Sequence, residues 1–312
     1  MTLCVDRPSL PFEKDYEDYV RPKVAVTGVS NYASVPGADL YIGLPVEGAV
    51  LACNAARASG VPAVVCILDV LPLMKAARGE GKCLALQDGF WSPMIEAARR
   101  VKAHVFVLAR YNVKPASKWT GIPTDRIHVV YPAVNDRVAE RVYRGTRDSS
   151  VCFISRIEGH KRLPHVLDAV KLLNLTLDIV TAKPDHEMVA HRGMTDKVRW
   201  YLKVSDMEKF QILARSQAMI NASIWEGFGM FLIEALAVGT PSVVYSFPTF
   251  HEVVDKSGYE DYVYFAKRGD RDDLQRKLMR CLADHRVDFP NDKRFTMNRM
   301  MRQLSQVLTK VV

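Results

Sequence analysis

Two carboxylates and two cations are the residues best placed to do chemistry together. The segment "SIWEGFGMFLIEAL" (223–236) holds Glu226 and Glu234 with seven residues between them. An ionised carboxylate is costly to place among apolar side chains without a partner, so Glu234 must face something polar. Gly227 and Gly229 disfavour helix and let the backbone approach a ligand closely. The helix is therefore expected to start near Met230, with Glu226 in the loop that feeds it. The N–H groups of 227–229 then open a helix N-terminus suited to phosphate or sugar oxygens. If the loop folds back, both carboxylates face one pocket and accept hydrogen bonds from hydroxyl groups. The same spacing fits equally well a helix-start glutamate followed by a half-buried one paired with a lysine. Upstream, "SRIEGHKR" (155–162) ends a strand at Arg156 and sets Lys161 before a helix start at Pro164. Two cations beside a helix N-terminus suit a diphosphate, although solvated surface cations read the same way.

Hydrophobic periodicity indicates the elements that carry these groups. Short β-branched runs at 23–29, 38–43, 62–68, 103–109 and 126–131 alternate with helical patterns at 46–58 and 89–102. Such alternation indicates a parallel α/β sheet. The polar, charge-rich stretch 135–150 reads as a connection. The pattern then restarts, with strands at 151–155, 177–182, 198–203, 218–223 and 241–246. Helices are expected at 164–173, 206–216 and 270–284, followed by a basic amphipathic tail helix at 294–312. The D-x-D at 270–272 sits at a helix start and reads as a cap. Two α/β halves result, 1–140 and 150–290, and a cleft between such domains is the expected place for a ligand.

Composition narrows the classes. Forty-three Lys and Arg against 35 Asp and Glu give a net charge of +8. That balance suits an anionic ligand, a phospholipid surface or nucleic acid, but no run of five or six like charges supports a nucleic-acid arm. Six scattered cysteines form no C-x-x-C pair. With Cys66 and Cys152 in apolar strands, they read as reduced thiols of a cytoplasmic protein without structural zinc. No secretory signal is visible, and no apolar run reaches the ~18 residues of a membrane span. No G-x-G-x-x-G follows a strand, which argues against a dehydrogenase.

Taken together, "ISRIEGHKR" and "YLKVSDMEKFQILARSQAMINASIWEGFGMFLIEALAVGTPSVVYSFPTFHEVV" resemble the retaining glycosyltransferases of family four over about 151–285. "KWTGIPTDRIHVVYPAV" (118–134) resembles the segment before that family's linker. The resemblance implies the α/β GT-B fold, two Rossmann-like domains with parallel sheets facing across a cleft, and a tail helix packed back toward the N-terminal domain. It implies transfer of a hexose from a UDP- or GDP-sugar to a hydroxyl on a glycan, lipid or protein-linked glycan. Anomeric configuration would be kept, with no cofactor and no metal. Arg156 and Lys161 match the diphosphate-binding cations, which stabilise charge on the leaving group. Glu226 matches the contact to donor sugar hydroxyls. Gly227, Phe228 and Gly229 match the turn whose N–H groups meet sugar and phosphate. Glu234 matches the glutamate that holds the ribose hydroxyls, so the ligand rather than a permanent partner would satisfy it. The backbone at Lys203 and Val204 falls where the family cradles the base.

The chain departs from the family pattern at several points. Its N-terminal half is short, with "VSNYASVPG" where a Gly-Gly loop is usual. Leu68 stands in place of a histidine, leaving Asp69 as the acceptor-side candidate, although it also reads as a loop-start aspartate. Thr181 and Ala182 replace a common glycine and are expected to narrow the room near the nucleotide. His160 and His251 lie in or near matching segments. The helix "FWSPMIEAARRVKA" (90–103) mixes aromatic, apolar and basic groups as a peripheral membrane contact does; ordinary packing on the sheet is the commoner reading. Two further functions stay open. A sugar transferase acting on nucleic acid fits the basic charge and predicts strongly salt-dependent binding. A catalytically silent nucleotide-sugar-binding scaffold fits the short N-terminal half and Leu68, against the retained Arg156, Lys161, Glu226 and Glu234.

Overall fold

A computed structural model describes residues 2–5, 25–28, 37–78, 88–142, 145–255, 258–284 and 294–312. The chain divides into two units, Met1–Tyr131 with Met300–Val312, and Pro132–Arg299.

The first unit is a sheet of β1 (Thr2–Val5), β2 (Ala25–Gly28), β3 (Tyr41–Gly43), β4 (Ala63–Ile67), β5 (His104–Val107) and β6 (Ile127–Val129). All pairs are parallel, in the order β2-β1-β3-β4-β5-β6. Its helices are α1 (Glu47–Ser59), α2 (Leu71–Arg78), α3 (Asp88–Arg100) and α4 (Val113–Thr120). Val64, Val65, Val105 and Val107 are fully buried, as near-continuous apolar strands are when helices cover both faces. Helix α1 presents Ala49, Ala52, Cys53 and Ala56 to the core. It lies so near β3 that a Cβ on Gly43 would fall 2.4 Å from the Ala49 Cα. Strand β1 was not expected, because "TLCV" is too short to show a period. Trp91, Met94, Ala97 and Ala98 of α3 are buried, and Trp91 meets Trp119 edge-on at 5.7 Å. The apolar face of that helix therefore packs inward, against α1 and Trp119. Among the described residues, no helix is long and apolar enough to cross a membrane.

The second unit holds β7 (Ser150–Ile154), β8 (Thr176–Thr181), β9 (Val198–Leu202), β10 (Ala218–Asn221), β11 (Ser242–Tyr245) and β12 (Val263–Ala266). The order is β12-β11-β10-β7-β8-β9, again all parallel. This is the doubly wound Rossmann order, whose direction of winding reverses between β7 and β10. Its helices are α5 (Asp136–Ala139), α6 (Leu163–Leu172), α7 (His186–His191), α8 (Asp206–Arg215), α9 (Met230–Ala237), α10 (Pro248–Val254) and α11 (Arg271–Ala283). Val151, Phe153, Leu167, Leu177, Ile179, Ile220 and Val243 form the centre of its core. Local signals set the helix starts. Ser205 and Glu208 form a capping box at α8, Pro164 sits in the first turn of α6, and Asp270 accepts the Asp273 N–H at α11. The D-x-D is thus a cap. On β8, the fully buried Asp178 accepts hydrogen bonds from Arg199 Nε at 2.5 Å and Arg215 Nη2 at 2.9 Å. Arg199 Nη2 donates a further one at 2.9 Å and the Ser150 hydroxyl another at 3.2 Å, which ties β7, β8 and β9 together.

The stretch 135–150 differs from expectation. The division falls between Tyr131 and Pro132, so the described residues of this stretch belong to the second unit. Asn135 caps α5 by accepting the Val138 N–H, and its Nδ2 donates to Asp206 at 3.2 Å. These polar residues read as a linker because their partners lie far away in sequence. The tail helix α12 (Met297–Val311) buries Met300, Leu304 and Val307 on one stripe. Within the first unit, Gln303 Oε1 accepts the Tyr131 N–H at 3.1 Å.

Candidate functional site

The loops that leave β7 and β10 flank the point where the strand order reverses, the usual ligand position in such sheets. Residues 155–161 follow β7 and residues 222–229 follow β10. The two loops are joined directly, the Ile224 N–H donating to the His160 carbonyl at 3.0 Å. After β7 the chain makes a short 3-10 turn, Gly159–Lys161, and Arg162 takes a left-handed φ of 49° before α6. That turn sends the Lys161 side chain inward, where it is buried. Its Nζ lies 2.6 Å from Glu226 Oε1, and both side chains are about a tenth exposed. An ion pair so short and so shielded is a charge-assisted hydrogen bond that fixes both groups.

Arg156 stays on the rim, with 75% of its side chain exposed and Glu158 at 3.1 Å. Glu158 also lies 3.3 Å from His160 Nδ1. It is a charged group of the site that sequence reasoning did not single out. His160 is buried near the Trp225 ring, with centroids 6.0 Å apart. His251 stacks on Phe265 at 4.0 Å and bonds Ser246.

Helix α9 begins at Met230, where the glycines led it to be expected. Gly229 has φ +97°, and an added Cβ would lie 2.3 Å from the buried Phe250 ring. Phe228 is buried and meets Phe295 edge-on at 5.7 Å. The Gly-Phe-Gly turn is therefore held from both sides by aromatic rings.

One turn into α9, Glu234 is 12% exposed and lies 2.8 Å from Lys209 Nζ. Lys209 also lies 2.7 Å from Asp206 Oδ1. Burial pulls the Lys209 ammonium down, but the Glu234 and Asp206 carboxylates outweigh it and hold the ammonium above the ordinary lysine value. The expectation that only a ligand satisfies Glu234 is thereby corrected. The paired-lysine alternative is what the structure shows, through a lysine on another helix, 25 residues away.

Lys203 and Val204 follow β9 at the same edge of the sheet. Lys203 adopts a left-handed φ of 52°, and its N–H donates to Thr181 O at 3.2 Å. A cavity of about 670 Å³ opens between the loops after β7 and β8, lined by Arg156, Glu158, Thr181, Ala182, Asp185 and His186 among others. That volume is within the range of small-molecule sites. Thr181 and Ala182 form a wall of it without closing it, and the Thr181 hydroxyl turns to its own loop, donating to Lys183 O. Asp69 belongs to the first unit, half-buried after β4, and Leu68 beside it is 39% exposed. Among the described residues, no three His, Cys, Asp or Glu side chains gather as metal ligands.

Residues 140–299 match the family described as glycosyl transferases group 1. The O-antigen chain mannosyltransferase RfbU of Salmonella typhimurium is 28% identical over 159 residues, 48% of this chain and 44% of that protein. The MMP alpha-(1->4)-mannosyltransferase of Mycolicibacterium hassiacum is 26% identical over 207 residues, 63% of this chain and 50% of that protein. The chain thus spans about half the length of these curated relatives. Alr3699/HepE of Anabaena, solved with UDP and glucose, superposes with a TM-score of 0.73 at 14% identity, covering 99% of this chain and 100% of that one. Sucrose-phosphate synthase of Thermosynechococcus elongatus gives 0.68 at 14% identity, over 89% and 75% of the two chains. At such identities the likeness shows the fold, which is GT-B.

Proposed function

This chain belongs to the glycosyl transferases group 1 family, and from that membership we propose that it moves a hexose from a nucleotide diphosphate sugar to an acceptor hydroxyl, with retention of configuration and without a metal. The observation that carries the reading is the buried Lys161–Glu226 pair, 2.6 Å apart, at the sheet's switch point. An ammonium has three N–H donors. One meets Glu226, which leaves two for phosphate oxygens. As the bond between sugar and diphosphate breaks, negative charge builds on the departing oxygens, and Lys161 with the rim residue Arg156 meets it. Charge stabilisation by groups already in place is usually the largest catalytic contribution. Glu226 Oε2 is the acceptor for donor sugar hydroxyls, and the backbone of Gly227, Phe228 and Gly229 approaches sugar and phosphate. Lys203 and Val204 border the base. Asp69 is the acceptor-side candidate, with a glycan or lipid-linked sugar as acceptor.

The two curated relatives are named as mannosyltransferases, which favours mannose as the sugar and supports no choice of nucleotide. A silent nucleotide-sugar-binding scaffold is the second reading, favoured by the exposed Leu68 where the family carries histidine. Binding is tested by the melting temperature in the presence of UDP, GDP or ADP. One nucleotide is expected to raise it in the wild type and to do so far less in Lys161→Ala. Equal shifts in the two proteins, or none with any nucleotide, would count against a donor site at Lys161.

A further inference from the structure

We propose that Lys209 is a positioning residue of the donor site, fixing the Glu234 carboxylate in the orientation that receives a donor's ribose hydroxyls. This rests on the donor reading given above. Lys209 lies on α8 and Glu234 on α9. The ammonium reaches Glu234 Oε1 at 2.8 Å and Asp206 Oδ1 at 2.7 Å, and it lies 5.2 Å from the centroid of the Phe210 ring. Two carboxylates and a ring face thus surround the three N–H donors of one ammonium. The lysine side chain is 18% exposed and the glutamate 12%, so water does little to loosen the pair.

The anchor is itself held. Asp206 receives the Asn135 Nδ2 at 3.2 Å, and the Lys209 N–H donates to Ser205 O at 2.9 Å inside the capped first turn of α8. A chain of polar contacts therefore runs from Asn135 through Asp206 and Lys209 to Glu234. Among the described residues, Glu234 Oε2 carries no hydrogen bond. One oxygen is pinned and the other is an oriented acceptor. Charge points the same way. One ammonium between two carboxylates leaves one negative charge over, which suits hydroxyl donors and repels phosphate. The diphosphate is thereby directed toward Lys161, whose pair with Glu226 is neutral overall.

A purely structural clamp between α8 and α9 has the same geometry but different ligand behaviour. The test measures dissociation constants by calorimetry for UDP, GDP and ADP, then for the 2′,3′-dideoxy form of the one bound best. Lys209→Met is expected to weaken the ribose nucleotide about tenfold, in line with the loss of a charge-assisted hydrogen bond. It leaves the dideoxy nucleotide bound as in the wild type, and Lys209→Arg restores most of the loss. Equal weakening of both nucleotides would overturn the proposal in favour of a clamp. Unchanged binding of the ribose nucleotide would overturn it alone. A wild type that binds no nucleotide would bring down the donor reading as well. Should Lys209→Met fail to fold, Lys209→Gln keeps length and hydrogen bonding without the charge and supports the same comparison.

Discussion

Replacing Gly229 with alanine tests whether the turn before α9 is held as described. The residue has φ 97° and ψ 58°. An L side chain in left-handed backbone costs roughly 1–2 kcal/mol. The new Cβ would also sit 2.3 Å from Phe250 Cε1 and 3.0 Å from its Cδ1. The ring cannot swing away freely, since Phe250 is fully buried and meets Phe231 and Phe247 edge-on at 5.6 and 6.0 Å. Overpacking of this kind costs about 1–3 kcal/mol. The sum, about 2–5 kcal/mol, corresponds to a fall in melting temperature on the order of 10 °C for a unit of this size. Thermal and urea denaturation followed by circular dichroism read it out. A double-mutant cycle with Phe250→Leu separates the two causes. The smaller side chain should relieve the clash but not the backbone strain, so the double mutant costs less than the sum of the singles. Gly159→Ala is the control, because nothing lies within 4 Å of its Cβ position, and its effect should stay within about 0.5 kcal/mol. A Gly229→Ala protein as stable as the wild type would refute both the turn geometry and the Phe250 contact.

Three further outcomes follow from the same structure. Asp178→Ala removes the buried acceptor shared by Arg199 and Arg215, which are partly exposed and keep Asp148 at 3.5 Å, and should destabilise by about 1–3 kcal/mol in urea titration, the scale of lost hydrogen bonds to a charged group. His165 bonds the Tyr245 hydroxyl at 2.7 Å, and burial, then the nearby Arg271 and Arg162, push its imidazole down from the ordinary 6.5 to about 4. The unfolded chain binds that proton first, so this contribution is full above pH 6.5 and is lost as pH falls toward 4. The urea midpoint should drop across that window, and more shallowly in His165→Asn; identical slopes would contradict the assignment. Burial pushes the thiols of Cys53, Cys66, Cys152 and Cys281 up to about 12. Ellman's reagent at pH 7.5 should leave these four unmodified in the native protein and label them after denaturation, as peptide mapping would show.

The strands of both sheets were legible where β-branched runs were long enough, as at Ala63–Ile67 and Thr176–Thr181. Helix starts were legible where a glycine, proline or aspartate forced them, at Met230, Pro164 and Asp270. Strands β1 and β12 and the helices α2, α4, α5, α7 and α10 were not, since four to eight residues do not establish a helical or strand period. The first unit ends at 131 rather than 140, because residues 135–142 are charge-rich yet bonded to distant segments. Motif spacing located Arg156, Lys161, Glu226 and Glu234, but not their pairing. Lys161 meets Glu226 across 65 residues, and Lys209 meets Glu234 across 25. A lysine within a helix reads as a solvated cation until the fold shows which carboxylate it faces. The turn at Gly159–Lys161 and the neighbouring α8 decide that, through backbone geometry that no local pattern encodes.

The most direct test of a donor centre built on Lys161 and Glu226 is the release of free nucleoside diphosphate from UDP-, GDP- and ADP-sugars, UDP- and GDP-linked hexoses first, with and without EDTA. The account predicts slow release from one donor, unchanged by EDTA and lost in a folded Lys161→Ala protein. Release that persists in Lys161→Ala, or that EDTA abolishes, would contradict it.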